Sequence, residues 1–239
     1  MKLAIMQPYF FPYIGYFQLI AAVDKFIAYD QLAYIKNGWI HRNRIAAGDA
    51  DVYFGVSVLA KSSHRLISEI AIDHRSPWQA QLATRLRRSY GKSPHFPKVF
   101  AVLEPLLHLG HDKIADLNYA TLVAVSRLLG IETEMVRGGP GYPEIEVAVR
   151  ANPSPSRRKL ERMVSICQLE GAEVFVNAIG GTALYRREDC AAHGIDLKFI
   201  AIEPEGNPAL LPPYRSIIDT LFGCGIEGTR ELLHKYRLV

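Results

Sequence analysis

A chain of 239 residues, 49% of them hydrophobic, has enough apolar material for a sizeable core; this excludes a disordered protein and allows one large α/β domain or two small ones. Lys+Arg 28 against Asp+Glu 24 leaves a net charge of +4, which suits a small anionic ligand and falls short of the dense basic surface that duplex nucleic acid needs. Cys167, Cys190 and Cys224 are widely spaced with no C-x-x-C pair, so they read as buried thiols of a reducing compartment, with neither a disulfide framework nor a zinc site.

At the N-terminus, "MKLAIMQPYF" meets Pro8 after too few apolar residues for a signal-peptide core. No later run approaches the roughly 18 apolar residues of a membrane span, so the expected location is the cytoplasm. Lys2–Gln7 reads as a short buried strand, Ile14–Val23 as a helix and Asp24–Asp30 as a second buried strand, a β-α-β opening. From Leu32 to Asp73 the stretches "YIKNGWIHRNRI", "VYFGVSVL" and "LISEIAID" alternate between Gly, Asp, Ser and Lys clusters and predict an inserted antiparallel meander. A helical middle region, about 76–130, follows. Ser76–Gly91 opens on a cap and Pro77, "HFPKVFAVLEPLLHL" carries Pro105 as a kink site, and "DKIADLNYATLVAVSRLLG" has Asp112 as cap and Gly130 as stop.

Ile131–Val136 reads as a strand, and Arg137–Ser156 as a Gly/Pro-rich connection of lid or hinge character. The last third returns to a β/α rhythm: helix Ser156–Glu170, strand Glu173–Ile179, helix Ala183–His193, strand Ile195–Ile202, then helical "SIIDTLF" and "TRELLHKY". The fold class is therefore α/β, a mainly parallel doubly wound sheet with the meander and the helical region inserted, read as a single domain over 1–239. Ligands in such sheets gather at the carboxyl ends of the strands.

Those ends draw attention to particular segments. "IMQPYFFPYIGYFQLI" hands a strand over to a helix, where backbone N–H groups and the helix dipole make an anion site. Gly15 would permit close backbone approach, Pro8 and Pro12 would stiffen the loop, and Gln7 offers a donor and an acceptor. Equally, Tyr9, Phe10, Phe11, Tyr13 and Tyr16 would make a packed aromatic cluster with no ligand. On "GWIHRNRI", Trp39, His41 and Asn43 take one side of a strand and Arg42 and Arg44 the other, a pair able to grip a phosphate or to sit as surface arginines on an edge. "NAIGGTALY" sets Asn177, Gly180, Gly181 and Tyr185 around another strand-to-helix turn with Thr182 as N-cap, and "NPSPSRRKLERM" offers Ser156 and Arg157 at a helix start. Asp30, at a strand end, is the candidate general base. The scattered histidines lack metal-ligand spacing, and no Walker loop, nucleophile elbow or cysteine-nucleophile signature is present.

The strand-loop-helix opening resembles that of the nucleotide-transferring HIGH-type enzymes, in which histidines contact the triphosphate. No histidine lies between Met1 and Ile40, so that chemistry does not carry over. The segment "QPYFFPYIGYF", together with "KNGWIHRNRI", "SYGKSPHF", "KLERMVSICQLEGAEVFVNAIGGTALY" and "SIIDTLFGCG", resembles the WbqC-like protein family, whose members open with Gln-Pro-aromatic-x-Pro-x-x-Gly-Tyr-Phe. Met6 stands where relatives commonly carry histidine, so an acid or base there is not transferred. The resemblance implies a setting among genes for O-antigen and other surface polysaccharides, and transfer of an acyl or aminoacyl group such as glycyl to a sugar amine.

A cytoplasmic transferase acting on a nucleotide-linked amino sugar, or another phosphorylated small molecule, is the expectation. Asp30, Gln7 and Tyr16 are its catalytic candidates; Tyr9, Pro12, Gly15, Trp39, Arg42, Asn43, Ser156, Arg157, Asn177, Gly180, Gly181 and Tyr185 are its ligand-binding candidates. The alternatives are an adenylating ligase or nucleotidyltransferase using ATP or another nucleotide, and a noncatalytic nucleotide-sugar-binding protein.

Overall fold

The computed structural model describes residues 1–239 apart from Asp49 and 211–213, and leaves out the side chains of Pro140 and Ser156. In chain order the elements are β1 (Lys2–Met6), α1 (Ile14–Ala21), β2 (Lys25–Ala28), β3 (Arg42–Ala47), β4 (Ala50–Gly55), α2 (Trp78–Tyr90), α3 (Phe96–Leu107), α4 (Ile114–Leu128) and β5 (Glu134–Arg137). They continue as α5 (Gly138–Gly141), α6 (Pro143–Ala151), α7 (Pro155–Leu169), β6 (Val174–Ala178), α8 (Arg187–Ala191), β7 (Asp196–Ile202), α9 (Ile217–Leu232) and β8 (Tyr236–Leu238). The main sheet runs β5-β2-β1-β6-β7-β8, parallel except for β8 at the edge, and β3–β4 form a separate antiparallel pair.

Alternation along each strand assigns the two faces. Ala4, Phe26, Ala28, Val176 and Ile200 join a core with α1, α4 and α9, which extends beneath the hairpin and α2–α3. Leu3, Ile27, Tyr29, Phe175, Leu197 and Phe199 pack with α6, α7 and α8 on the opposite face. The sheet is thus covered on both sides, as its apolar, nearly non-alternating strands require. α1 is buried along almost its whole length, the pattern of a helix enclosed on all sides.

Several expectations are corrected. The meander contains one ladder, β3–β4; "LISEIAID" instead forms a 3₁₀ turn at Ile67–Glu69 and is tied down by isolated bridges at Leu66, Ala71 and Ile72. The connection 137–156 is mostly helical, as α5 and α6, and Pro143 and Pro155 are compatible with it because each falls at a first helical turn, where no N–H is lost. Ser154, and not Ser156, caps α7, accepting from Arg157 N; the Ser156 side chain lies outside the described residues. Lys113 precedes α4 in place of Asp112, and Thr182 ends a 3₁₀ turn at Ile179–Gly181 in place of starting a helix. Tyr236, expected in a helix, begins β8, which closes the sheet edge against β7.

Candidate functional site

The chain lays down β1, β2 and β5 in one direction and then returns to build β6 and β7 on the other side of β1. Strand order therefore reverses between β1 and β6, the place where open α/β sheets hold ligands. The pairing shows the gap directly. β1 stays in register with β2 as far as Met6↔Ala28 and β6 with β7 as far as Ala178↔Ile200, but β1 and β6 match only at Lys2↔Val174 and Leu3↔Phe175. Beyond Leu3 the two strands part. Ile5, Met6 and Gln7 are partly exposed even though β1 is an interior strand.

The loop after Gln7 is held by its carbonyls. Tyr16 donates its hydroxyl to Gln7 O at 2.7 Å and Asn118 its amide to Pro8 O at 2.9 Å. Asn43 donates to Phe10 O at 3.3 Å and Phe11 O at 2.7 Å, Ser216 donates to Phe11 O at 2.7 Å, and Ile217 N reaches Pro12 O at 2.8 Å. Phe10 and Phe11 are buried, and Phe11 adopts φ 42, a left-handed conformation that costs a bulky residue about 1–2 kcal/mol. The aromatic segment is therefore divided between the two readings: Phe10, Phe11 and Tyr16 are core, while Tyr9 and Tyr13 stay partly exposed. Tyr9 donates to Gln7 Oε1 at 3.3 Å, and Tyr13 packs against Tyr214 with ring centres 5.0 Å apart and planes tilted by 31°. Burial holds the hydroxyls of Tyr9, Tyr13 and Tyr16 protonated, that of Tyr13 pushed up to about 12.

On the opposite face, Glu146 of α6 is a hub. It accepts from the Tyr29 hydroxyl at 2.5 Å and, bidentately, from Arg162 of α7, whose guanidinium lies 5.9 Å from the Tyr29 ring centre. The Arg162 and Tyr29 bonds hold the Glu146 carboxyl below its ordinary value despite the opposing effect of burial. Tyr185 packs edge-on against Phe175, and burial pushes its hydroxyl up to about 12. Asp30 is fully enclosed: Arg137 Nε donates to one oxygen at 2.9 Å and Gln31 Nε2 to the other at 3.1 Å, and Arg137 also pairs with Asp116.

The structure thus brings Gln7, Tyr9, Tyr16, Asn177 and the Gly180–Gly181 turn to the neighbouring ends of β1 and β6, with Tyr185 on the β6 side. Other candidates sit elsewhere or serve the frame. Gly15 and Pro12 belong to the loop's own packing; a side chain at position 15 would meet Tyr13 and Ile202. Asn43 is the buried loop clamp, and His41 is buried beside Tyr34, its Nδ1 2.6 Å from the hydroxyl. Trp39 and Arg42 lie on the outer face of the hairpin, where Trp39 stacks on Tyr53, Arg42 covers Tyr53 and Arg44 covers Trp39. That strip reaches Tyr214, the ring neighbour of Tyr13, through Arg44 Nε on Tyr214 O at 3.1 Å. Arg157 is exposed at the start of α7. Reading the sequence missed Tyr29, Asn118, Arg137, Glu146, Arg162 and Ser216. For Asn118 the available signal was an uncharged polar residue on the apolar face of a helix.

Two open clefts lie away from these residues. One, of about 780 Å³, sits at the amino ends of β2 and β5 between Asp24, Thr133 and Arg230; the other, of about 740 Å³, lies between the hairpin and α2 beside Arg85 and Arg88. They are the roomier hollows, whereas the reversal of strand order singles out the β1–β6 gap. Among the described residues no three metal-ligating side chains converge, and no helix is long and apolar enough to cross a membrane.

No solved structure matches the chain. The uncharacterized protein Rv1507c of Mycobacterium tuberculosis is 30% identical over 235 residues, 95% of each chain. The model of the WbqC-like protein family matches residues 7–231, beginning at the Gln7 that follows β1 and taking in the loop, its clamps and the β6 turn, and the chain belongs to the WbqC-like protein family.

Proposed function

We propose that the chain is a cytoplasmic transferase of surface-polysaccharide biosynthesis that moves an acyl or aminoacyl group, glycyl for example, onto the amine of a nucleotide-linked sugar at the β1–β6 crevice. The observation that carries this reading is the partly exposed carboxyl end of an interior strand, Ile5 and Met6 with Gln7 just beyond it, at the point where strand order reverses. Family membership supports the polysaccharide setting. In the transfer the amine nitrogen bonds to the acyl carbon, the bond from that carbon to its leaving group breaks, and the amine proton leaves with the departing group or water.

Gln7 and Asn177 serve as polar contacts, Tyr9, Tyr13 and Tyr214 as ring surfaces at the mouth, and the strip of Trp39, Tyr53, Arg42 and Arg44 as the rest for the nucleotide end. Tyr16 acts through the Gln7 backbone. With both oxygens occupied, Asp30 is assigned to anchoring Arg137 and the turn after β2 in place of proton abstraction.

Thermal-shift titration of the full chain with nucleotide amino sugars, acyl-coenzyme A compounds and ATP tests the reading, because a ligand selective for the native state raises the melting temperature. A nucleotide amino sugar is expected to raise it in the wild type and not in Gln7→Ala. No response to any of them refutes the transferase. Binding without acyl transfer assigns a noncatalytic binding protein, and pyrophosphate released from ATP with an acid assigns an adenylating ligase.

A further inference from the structure

Within β6, alternate residues turn their backbone groups toward β1: Val174 N reaches Met1 O at 3.3 Å, an oxygen shared just ahead of the strand by Glu173 N at 3.2 Å, while Glu173 O turns the other way and accepts from Asp196 N at 2.8 Å. The same alternation aims Ala178 N at β1, level with the Ile5 carbonyl. That ladder bond is replaced. Ala178 N is taken at 2.8 Å by the side-chain oxygen of its neighbour, Asn177 Oδ1, and the β1–β6 register ends at Leu3↔Phe175. Asn177 thus supplies the acceptor that β1 would provide if the ladder continued.

The bond also settles which end of the amide is which. A backbone N–H requires an oxygen, so Oδ1 faces Ala178 and Nδ2 points away from it. Asn177 is 5% exposed, yet Nδ2 has no protein acceptor among the described residues and is not sealed from solvent. It lies against the Cα of Gly181, where any side chain would cover it. On the facing strand Leu3, Ile5 and Gln7 share one sheet face, the face to which Phe175 and Asn177 belong by the same alternation. Gln7 Oε1 is engaged by the Tyr9 hydroxyl, leaving Nε2 as a donor.

We propose that Asn177 Nδ2, with Gln7 Nε2 opposite it, binds the carbonyl oxygen of an acyl substrate, so that this end of the crevice receives the acyl group and not a phosphate. Two N–H donors demand an acceptor, which excludes an ammonium. Both are neutral, and two of the cations on this face of the sheet are matched, Arg162 by Glu146 and Arg137 by Asp30 and Asp116. A phosphate is held best by charged side chains or by a helix N-terminus, and Asn177 Nδ2 and Gln7 Nε2 are neither, whereas a carbonyl oxygen, neutral at first and gaining negative charge as an amine adds, is served by fixed neutral donors. The inference rests on the crevice being the ligand site proposed above, and it names the half of the substrate bound there.

The test is side-chain amide NMR of the full-length ¹⁵N-labelled chain, with the Asn177 NH₂ pair identified by its loss in Asn177→Asp. That variant keeps Oδ1 for Ala178; Asn177→Ser, whose hydroxyl also accepts, serves if it does not fold. The probes are acetyl-coenzyme A, coenzyme A without the acetyl group, and inorganic phosphate, at millimolar concentration. The expected result is that acetyl-coenzyme A shifts the Asn177 pair, coenzyme A and phosphate do not, and the substitution weakens acetyl-coenzyme A about tenfold or more, the loss of one buried hydrogen bond with its partner left unpaired. Shifts at the backbone amides of Gln7 and Ala178 with the Asn177 pair unmoved, or unchanged affinity in the variant, overturn the inference and leave the crevice standing. No response around the crevice to acetyl-coenzyme A overturns the inference, and if nucleotide sugars also give no thermal shift the site reading falls with it.

Discussion

His41 shows how a residue that looks chemical in the sequence is fixed as frame by its surroundings. Its ring is buried against the Tyr34 hydroxyl, and burial first, then the charges of Lys61 and Arg42, push its pKa down from 6.5 to about 4. The folded state thus binds the proton more weakly than the unfolded chain, and the stability this contributes is full above pH 6.5 and is lost as pH falls toward 4. The expected loss across that window is about 3 kcal/mol, at about 1.4 kcal/mol per pH unit. Urea unfolding of wild type and His41→Gln at a series of pH values checks it: the wild type should lose stability between pH 6.5 and 4 and the variant should lose much less. Parallel curves would mean that His41 titrates normally. Asn43 teaches the same lesson. Alternation in "GWIHRNRI" set it inward, but an inward polar side chain is equally a ligand contact or a clamp on backbone carbonyls, and only the position of Phe10 and Phe11 decides. Asp30 was legible as a strand-end carboxylate, whereas its partner Arg137 is 107 residues away in the chain and was not.

At the scale of elements, the loop between β1 and α1 is shaped by side chains from β3, α4 and the start of α9, each satisfying a carbonyl that no regular structure reaches. Asn43→Ala orphans the buried Phe10 carbonyl and removes a donor from Phe11, a loss of about 1–3 kcal/mol. For a chain of this size each kcal/mol lowers the melting temperature by roughly 2–4 °C. Calorimetry should show that drop, and hydrogen exchange should quicken at Tyr16 N, which bonds Tyr13 O at the loop's end; an unchanged melting temperature would show that the clamp contributes nothing. The helices and the parallel strands were legible because each carries its own period and its own Pro or Gly punctuation. The meander was over-read, since "LISEIAID" alternates like a strand but is held by single bridges to partners that local sequence does not reveal. β8 was missed for the same reason: three residues become a strand only because β7 offers an edge.

Over the whole molecule, the order β5-β2-β1-β6-β7 places the accessible end of β1 beside the end of β6, bringing into one neighbourhood two glycine-bearing turns that the sequence marks only as separate segments. What could not be read was that the β1–β6 register ends after Leu3 and that Asn177 Oδ1, not β1, takes the Ala178 N–H. The claim that the crevice is the working site is tested most directly by a crystal structure of the chain with the ligand that raises its melting temperature most. The account predicts that ligand between β1 and β6, hydrogen-bonded to Gln7 and Asn177; finding it instead beside Asp24, Thr133 and Arg230, or beside Arg85 and Arg88, with Gln7 and Asn177 untouched, would contradict it.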